Sequence, residues 1–274
     1  MLFKKEKSKI WIYLFISLVI IILFAAIKGL FLNASPICSE FSEDYRTICL
    51  QLNAQKLAVN DFNSAWKICK QINQDLLRDE CYNDIVVAIG KEKPEYVQQY
   101  CREINSEKWR GECFFNLALF LTKTNITKAF VMCDKAEIYV PFCYHDVAGE
   151  ASLINTSTAI NICEKQTDNL MRRTCFHGIG KYLGKSMQDK AITYCGQIKE
   201  SDIKKSCYHG AGWGVSEISD SGKAVSYCKK IKSNFTDNCL VGVAWQISKT
   251  NNELSKKICE NVINKVAKTK CLNF

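Results

Sequence analysis

A chain of 274 residues that is 47% hydrophobic and 24% charged has the composition of a folded protein and excludes wholesale disorder. Its net charge of +9 falls to +5 once the segment before Asn33, with five lysines and one glutamate, is set aside. That bias is too weak and too dispersed for a nucleic-acid binder. The unusual feature is 16 cysteines against three histidines and three prolines, an even number that permits complete pairing.

In chain order, the first predicted element is a membrane span. Residues 1–9 form a basic tail carrying Lys4, Lys5, Lys7 and Lys9 against Glu6, and residues 10–32 are apolar except for Lys28 and Gly29. The uncharged run from Ile10 to Ile27 is long enough for a transmembrane helix. The lysines in front of it place the amino terminus in the cytoplasm by the positive-inside rule. A cleaved signal peptide would have a shorter apolar core and a small-x-small cleavage site. The sites here, Phe24 before Ala26 and Leu32 before Ala34, fit that pattern poorly. The expectation is a single-pass signal-anchor in the cell membrane, with residues 33–274 forming an extracytoplasmic domain where disulfides persist.

The rest of the chain is a repeat marked by its cysteines. Steps of 10–12 residues alternate with steps of 20–21 from Cys38 to Cys271, giving about eight units of roughly 32 residues. Ahead of the first cysteine of a unit runs Ala-x-x-apolar-Cys, as at Ala65–Cys69, Ala159–Cys163, Ala191–Cys195 and Ala224–Cys228. Isoleucine often follows three residues later, at Ile72, Ile104, Ile198 and Ile231. These spacings of three and four predict one helix face, helix A.

After the second cysteine come an apolar or aromatic residue (Tyr82, Phe114, Tyr144, Phe176, Tyr208, Leu240) and, five positions on, usually a small one (Ala54, Ala118, Ala148, Gly180, Gly212, Ala244). This predicts helix B, with a small-residue face that a neighbouring helix can approach. Pro94 suits the first turn of an A helix, where its missing N–H costs nothing. The fold class is therefore all-α, an αα-hairpin solenoid of about eight repeats.

Pairing within units uses every cysteine, whereas pairing between units strands Cys38 and Cys271. The expected bridges are Cys38 to Cys49, Cys69 to Cys81, Cys101 to Cys113 and Cys133 to Cys143 in the first four units. In the last four they are Cys163 to Cys175, Cys195 to Cys207, Cys228 to Cys239 and Cys259 to Cys271.

With its Ala-x-x-aromatic and small-residue positions and a cysteine pair per unit, the region 33–274 resembles tetratricopeptide-type repeats, in particular the secreted, cysteine-rich Sel-type kind. The resemblance is architectural: the Trp-x-x-Leu-Gly-x-x-Tyr signature is absent and the period is shorter. It implies a right-handed superhelix whose concave face binds a protein or peptide.

Three constellations could carry chemistry. His145, His177 and His209 each stand two residues after a second cysteine, 32 residues apart. They suggest a metal or acid–base site. With packed helices 8–10 Å apart, however, equivalent side chains should stand too far apart to share a zinc ion. The expected role is structural, with a polar ligand-contact row as the alternative. The segment Gly178–Ser186 ends in Gly-Lys-Ser but lacks the four-residue glycine spacing and the preceding strand of a phosphate loop. Its glycines predict close helix packing, as do Gly210, Gly212 and Gly214.

A basic row three residues before the second cysteine comprises Arg46, Arg78, Arg110, Arg172, Lys204 and Lys268, broken at Val140 and Thr236. It is either solvated surface or a binding edge for an acidic partner. No Cys-x-x-Cys, clustered cysteine foursome or hydrolase motif is present. The functional expectation is a non-catalytic scaffold for a protein or peptide partner, without a cofactor. The alternative is a ligand-binding protein or enzyme using the histidine row.

Overall fold

The computed structural model describes residues 38–231 and 234–274. The expected basic tail and transmembrane helix, residues 1–32, lie outside them. Among the described residues no helix is long and apolar enough to cross a membrane. The described chain contains fourteen α-helices and no strand. It divides into two compact units, with the boundary between Ile89 and Gly90. The first holds α1 (Glu43–Ala58), α2 (Phe62–Cys69) and α3 (Asp75–Gly90, whose last residue crosses the boundary).

The second unit holds α4 (Pro94–Cys101), α5 (Glu107–Thr122), α6 (Ile126–Cys133), a 3-10 turn (Glu137–Tyr139) and α7 (Val140–Glu164). It continues with α8 (Asn169–Ser186), α9 (Gln188–Gln197), α10 (Ser201–Ser216) and α11 (Ser221–Lys229). Last come α12 (Thr236–Ser248), α13 (Asn252–Glu260) and α14 (Lys265–Leu272).

Short A helices alternate with longer B helices, and local chemistry sets the boundaries. Four A helices start at side chains that accept the N–H three residues on: Asp61 from Ser64, Asn125 from Lys128, Asp220 from Lys223 and Asn251 from Leu254, all at 2.9–3.0 Å. α7 is two helices in one run. Asn155 sits inside it with extended φ/ψ (−146°, 90°) and its Oδ1 caps Thr158, so a B helix ends and an A helix begins there without a loop. Asn125 and Asn155, which also read as glycosylation sequons, therefore act as helix caps. Pro94 occupies the first turn of α4 as expected.

All eight disulfides join cysteines of the same hairpin. They are Cys38–Cys49, Cys69–Cys81, Cys101–Cys113, Cys133–Cys143, Cys163–Cys175, Cys195–Cys207, Cys228–Cys239 and Cys259–Cys271, with Cα atoms 5.3–5.7 Å apart. In most hairpins the first cysteine closes the A helix, as Cys69, Cys101 and Cys133 do in α2, α4 and α6. The second lies within the B helix, as Cys81, Cys113, Cys143 and Cys175 do in α3, α5, α7 and α8. Cys259 and Cys271 join α13 to α14 in the same way. Every cysteine is buried except the half-buried Cys49.

The isoleucines assigned to helix A instead fall just beyond it. α2, α4 and α11 end before Ile72, Ile104 and Ile231, and the N–H of each isoleucine bonds the carbonyl of the cysteine three residues back. Ile198 does the same with Cys195. A spacing of three is the period of a 3-10 turn as much as of one helix face. The disulfide clamps the chain at that cysteine, where it must reverse into helix B. Ile72, Ile104 and Ile231 are buried and plug the hairpin bend.

The core lies between A and B helices. The aromatic row after the second cysteine is buried and meets aromatics of the A helices: Tyr82 stacks on Trp66 at 3.9 Å and Tyr144 packs on Phe130 at 5.4 Å between centroids. Such pairs add about 0.5–1.5 kcal/mol beyond area burial. The alanines of the Ala-x-x-apolar-Cys pattern, at 65, 159, 191 and 224, have no exposed surface. In the second unit B helices also pack directly on one another, α7 on α8, α8 on α10 and α10 on α12. Gly180 and Gly212 explain the closeness of the last two pairs: a Cβ there would stand 2.0 Å from the carbonyl oxygens of Cys207 and Cys239 respectively. Hairpins are further tied by Asp237, whose carboxylate accepts the N–H groups of Ile263 and Asn264 at 3.1 and 2.7 Å.

Candidate functional site

The three histidines stand on successive B helices, α7, α8 and α10, two positions past Cys143, Cys175 and Cys207. Contrary to the expectation from helix spacing, they touch. Nε2 of His145 lies 2.9 Å from Nδ1 of His177, and Nε2 of His177 lies 2.8 Å from Nδ1 of His209. Ring centroids are 5.0 and 5.1 Å apart. The cause is the residue after each of the second and third histidines. A Cβ on Gly178 would fall 1.8 Å from the carbonyl oxygen of His145, and one on Gly210 would fall 2.1 Å from that of His177. Without side chains at these points the helix backbones meet, and the usual helix separation does not apply.

The row ends on a carboxylate. Asp146 Oδ1 is 2.6 Å from Nδ1 of His145. Five of the six ring nitrogens are thus engaged, and only Nε2 of His209 has no protein partner among the described residues. Because the nitrogens bond each other, they do not converge on a common point. Among the described residues no group of three or more histidine, cysteine, aspartate or glutamate side chains is placed to hold a metal ion.

Burial, with the positive charge that His209, His145 and Lys181 would present, holds His177 well below the ordinary imidazole pKa. Burial pushes His209 down to about 4. Both rings are therefore neutral at neutral pH, while the unfolded chain titrates near 6.5. The unfolded state binds more protons between these values. The stability contributed by the neutral rings is complete above about pH 6.5 and is lost as pH falls towards and through 4. For His209 this is on the order of 3 kcal/mol. Urea unfolding at pH 7 and pH 4.5 should show this loss, and His209→Asn should flatten it. An equal acid loss in the variant would refute the assignment.

Around the row stands a polar and aromatic face. Trp213 of α10 meets His177 edge-on at 5.6 Å, with Lys181 and Lys249 over its ring at 4.5 and 4.3 Å. Lys181 and Lys185 pair with Glu217 at 3.3 and 3.1 Å. Burial alone would raise the Glu217 pKa, but the hydrogen bond from Lys185 and the charge of Lys181 outweigh it and leave the carboxyl below its usual range. Tyr182 is held above its ordinary pKa, first by burial and then by Asp146, Glu150 and Glu217. Trp245 is 38% exposed and packs edge-on against Phe274 at 5.0 Å.

No known protein family, curated protein or solved structure matches the chain. The reading of the site therefore rests on its geometry. The basic row largely hooks back onto its own hairpins. Arg78 donates to the carbonyl of Ile72, and Arg110 donates to those of Ile104 and Asn105, while Lys268 donates to that of Glu260. Thr236, which breaks the row in sequence, donates to the matching carbonyl of Ile231. Arg78 also pairs with Asp75, Arg110 with Glu137 and Arg172 with Glu200. Lys204 lies over the ring of Phe235 at 5.4 Å, and Arg46 is partly exposed on α1.

Sequence spacing does not single out Asp146, Trp213, Lys181, Lys249, Arg173 or Lys270 as members of a site. Asp146 has a local signal, as the carboxylate directly after the first histidine. Of the others, Lys181 and Trp213 stand at one repeat position, 32 residues apart, but that position is basic in one unit and aromatic in the next, so it does not mark a site.

Proposed function

We propose that this protein is a membrane-anchored, extracytoplasmic, non-catalytic helical-repeat scaffold that binds a protein or peptide partner. The observation that carries the reading is that all sixteen cysteines are joined within hairpins, leaving no free thiol. Such staples suit an oxidising compartment and leave the exposed sides of the B helices as preformed surfaces. On the second unit that surface carries Trp213 between two lysines and the exposed Trp245, the residue types that anchor interfaces.

The test is capture from the native cell envelope with residues 33–274 as bait, compared with a Trp213→Ala/Lys249→Glu/Trp245→Ala bait of unchanged helicity. Partners retained by the first and lost at least tenfold by the second support the reading. Identical capture by both baits, or none by either, overturns it. A second reading, a small-ligand receptor using His145, His177 and His209, is favoured by one observation: the imidazoles are bonded into a chain with a single open end.

A further inference from the structure

The open end of the histidine chain lies in a cleft of about 530 Å³ between α8, α10, α12 and α14. His209 lines it together with Ser206, Asn238, Arg173, Lys205 and Lys270. Lys205 is paired with Asp202, the one acid of the lining, at 3.0 Å. Arg173, whose charge also acts on Asp202, and Lys270 are exposed cations that form no ion pair among the described residues. The cleft is therefore built for an anion at its rim and presents an imidazole nitrogen at its wall.

Whether that nitrogen gives or accepts a hydrogen bond is decided at the far end of the chain. Three neutral imidazoles carry three ring protons. Each of the two N···N contacts needs one of them, which leaves one for the two ends of the chain. The carboxylate of Asp146 holds that proton on Nδ1 of His145, because a bare nitrogen lone pair 2.6 Å from a carboxylate oxygen would be repelled. Every bond then points the same way: His209 Nδ1–H donates to His177 Nε2, His177 Nδ1–H donates to His145 Nε2, and His145 Nδ1–H donates to Asp146. Nε2 of His209 is left bare, an acceptor facing a cationic cleft. An anion without a proton would meet a lone pair there.

We propose that the cleft is a binding site for hydrogen phosphate, with Arg173 and Lys270 holding its charged oxygens and the bare Nε2 of His209 accepting the hydrogen bond of its remaining hydroxyl. Sulfate, of the same shape, carries no proton at neutral pH. It can bind as well only if the chain first takes up one proton, which leaves both ends protonated and turns Nε2 of His209 into a donor. The charged groups that oppose or favour that uptake are Asp146 beside His145, Lys181 beside His177, and Arg173, Lys205, Lys270 and Asp202 around His209. Cations predominate among them around His177 and His209.

The test is isothermal titration of the full chain in detergent with sodium phosphate and sodium sulfate at pH 7.5 and constant ionic strength. Phosphate should bind saturably and at least tenfold more tightly than sulfate. Between pH 7.5 and 5.5 sulfate affinity should rise steeply, approaching tenfold per pH unit, while phosphate affinity should not rise, because the ion itself takes up a second proton over that range. Asp146→Asn removes the group that fixes the direction of the chain, since an amide can donate to Nδ1 of His145. The phosphate-to-sulfate ratio should then fall to about one or below, with the fold intact. Arg173→Ala/Lys270→Ala, at exposed positions, should lose both anions.

Equal binding of phosphate and sulfate by the native chain, an unchanged ratio in Asp146→Asn, or no saturable phosphate binding would overturn the proposal. Glycerol phosphate binding more tightly than inorganic phosphate at pH 6, where it too carries a proton, would assign the site to phosphomonoesters instead. The proposal does not depend on the scaffold reading, because loss of partner capture leaves anion selectivity unchanged.

Discussion

Gly178→Ala should destabilise the second unit by about 3 kcal/mol or more, the upper end of what overpacking costs, or prevent its folding. In most helices the same exchange stabilises by about 1 kcal/mol, since alanine is the better helix former. The sign reverses here because the new Cβ would stand 1.8 Å from a backbone oxygen, that of His145, and a carbonyl inside a packed helix cannot turn aside like the end of a side chain. Gly210→Ala should behave alike, with its Cβ at 2.1 Å from the carbonyl oxygen of His177. Gly196→Ala is the control. It lies near the end of α9, and its Cβ would approach only the hydroxyl of Tyr208, at 3.3 Å. Thermal unfolding of the three variants should show two large losses and one change between zero and a small gain. Tolerance of alanine at 178 would mean that α7 and α8 do not meet as described, and the histidine chain would go with them.

The second large effect concerns the disulfides. Replacing Cys195 and Cys207 together by alanine should cost about 3 kcal/mol, the entropic value of closing a loop of about a dozen residues. Reducing all eight bridges should abolish cooperative unfolding. The hairpins are thin: α2, α4 and α6 are eight residues long, too short to be stable as isolated helices, and each buries only one face against its partner. Circular dichroism with and without reductant measures both effects. Peptide mapping without reduction should return the eight within-hairpin pairs, and recovery of a Cys49–Cys69 peptide would contradict the connectivity.

Much of this architecture was legible from residues 38–274. Alternating cysteine steps set out the hairpins, the bridges and the order of short A and longer B helices. That worked because a disulfide between helix ends imposes a fixed chain length between its cysteines, so the spacing is a direct imprint of the geometry. The isoleucines after the first cysteine are ambiguous in sequence. A spacing of three fits a helix face and a 3-10 turn equally, and only the position of the helix ends separates the two.

The candidate site was half legible. The sequence put His145, His177 and His209 at one repeat position and marked the neighbouring glycines for close packing. An average helix separation would hold the imidazoles apart, but a glycine directly after a histidine removes the side chain that normally keeps neighbouring backbones apart and lets the rings meet. Among the partners from elsewhere, Asn238 and Lys270 in the cleft, like Lys181 and Trp213 on the face, stand one period of 32 residues apart, but the residue type changes from unit to unit, so the period alone does not mark them as a site.

By itself the sequence determined the all-helical class, the hairpin period, the disulfide pairing and the row on which the histidines lie. These are properties of one chain segment read along its length, where spacing alone fixes what can meet. The tertiary structure decided what the row can do. The direction of a hydrogen-bonded chain depends on the carboxylate at one end and the cleft at the other. Those are brought together only when backbones stripped of side chains at Gly178 and Gly210 close to contact.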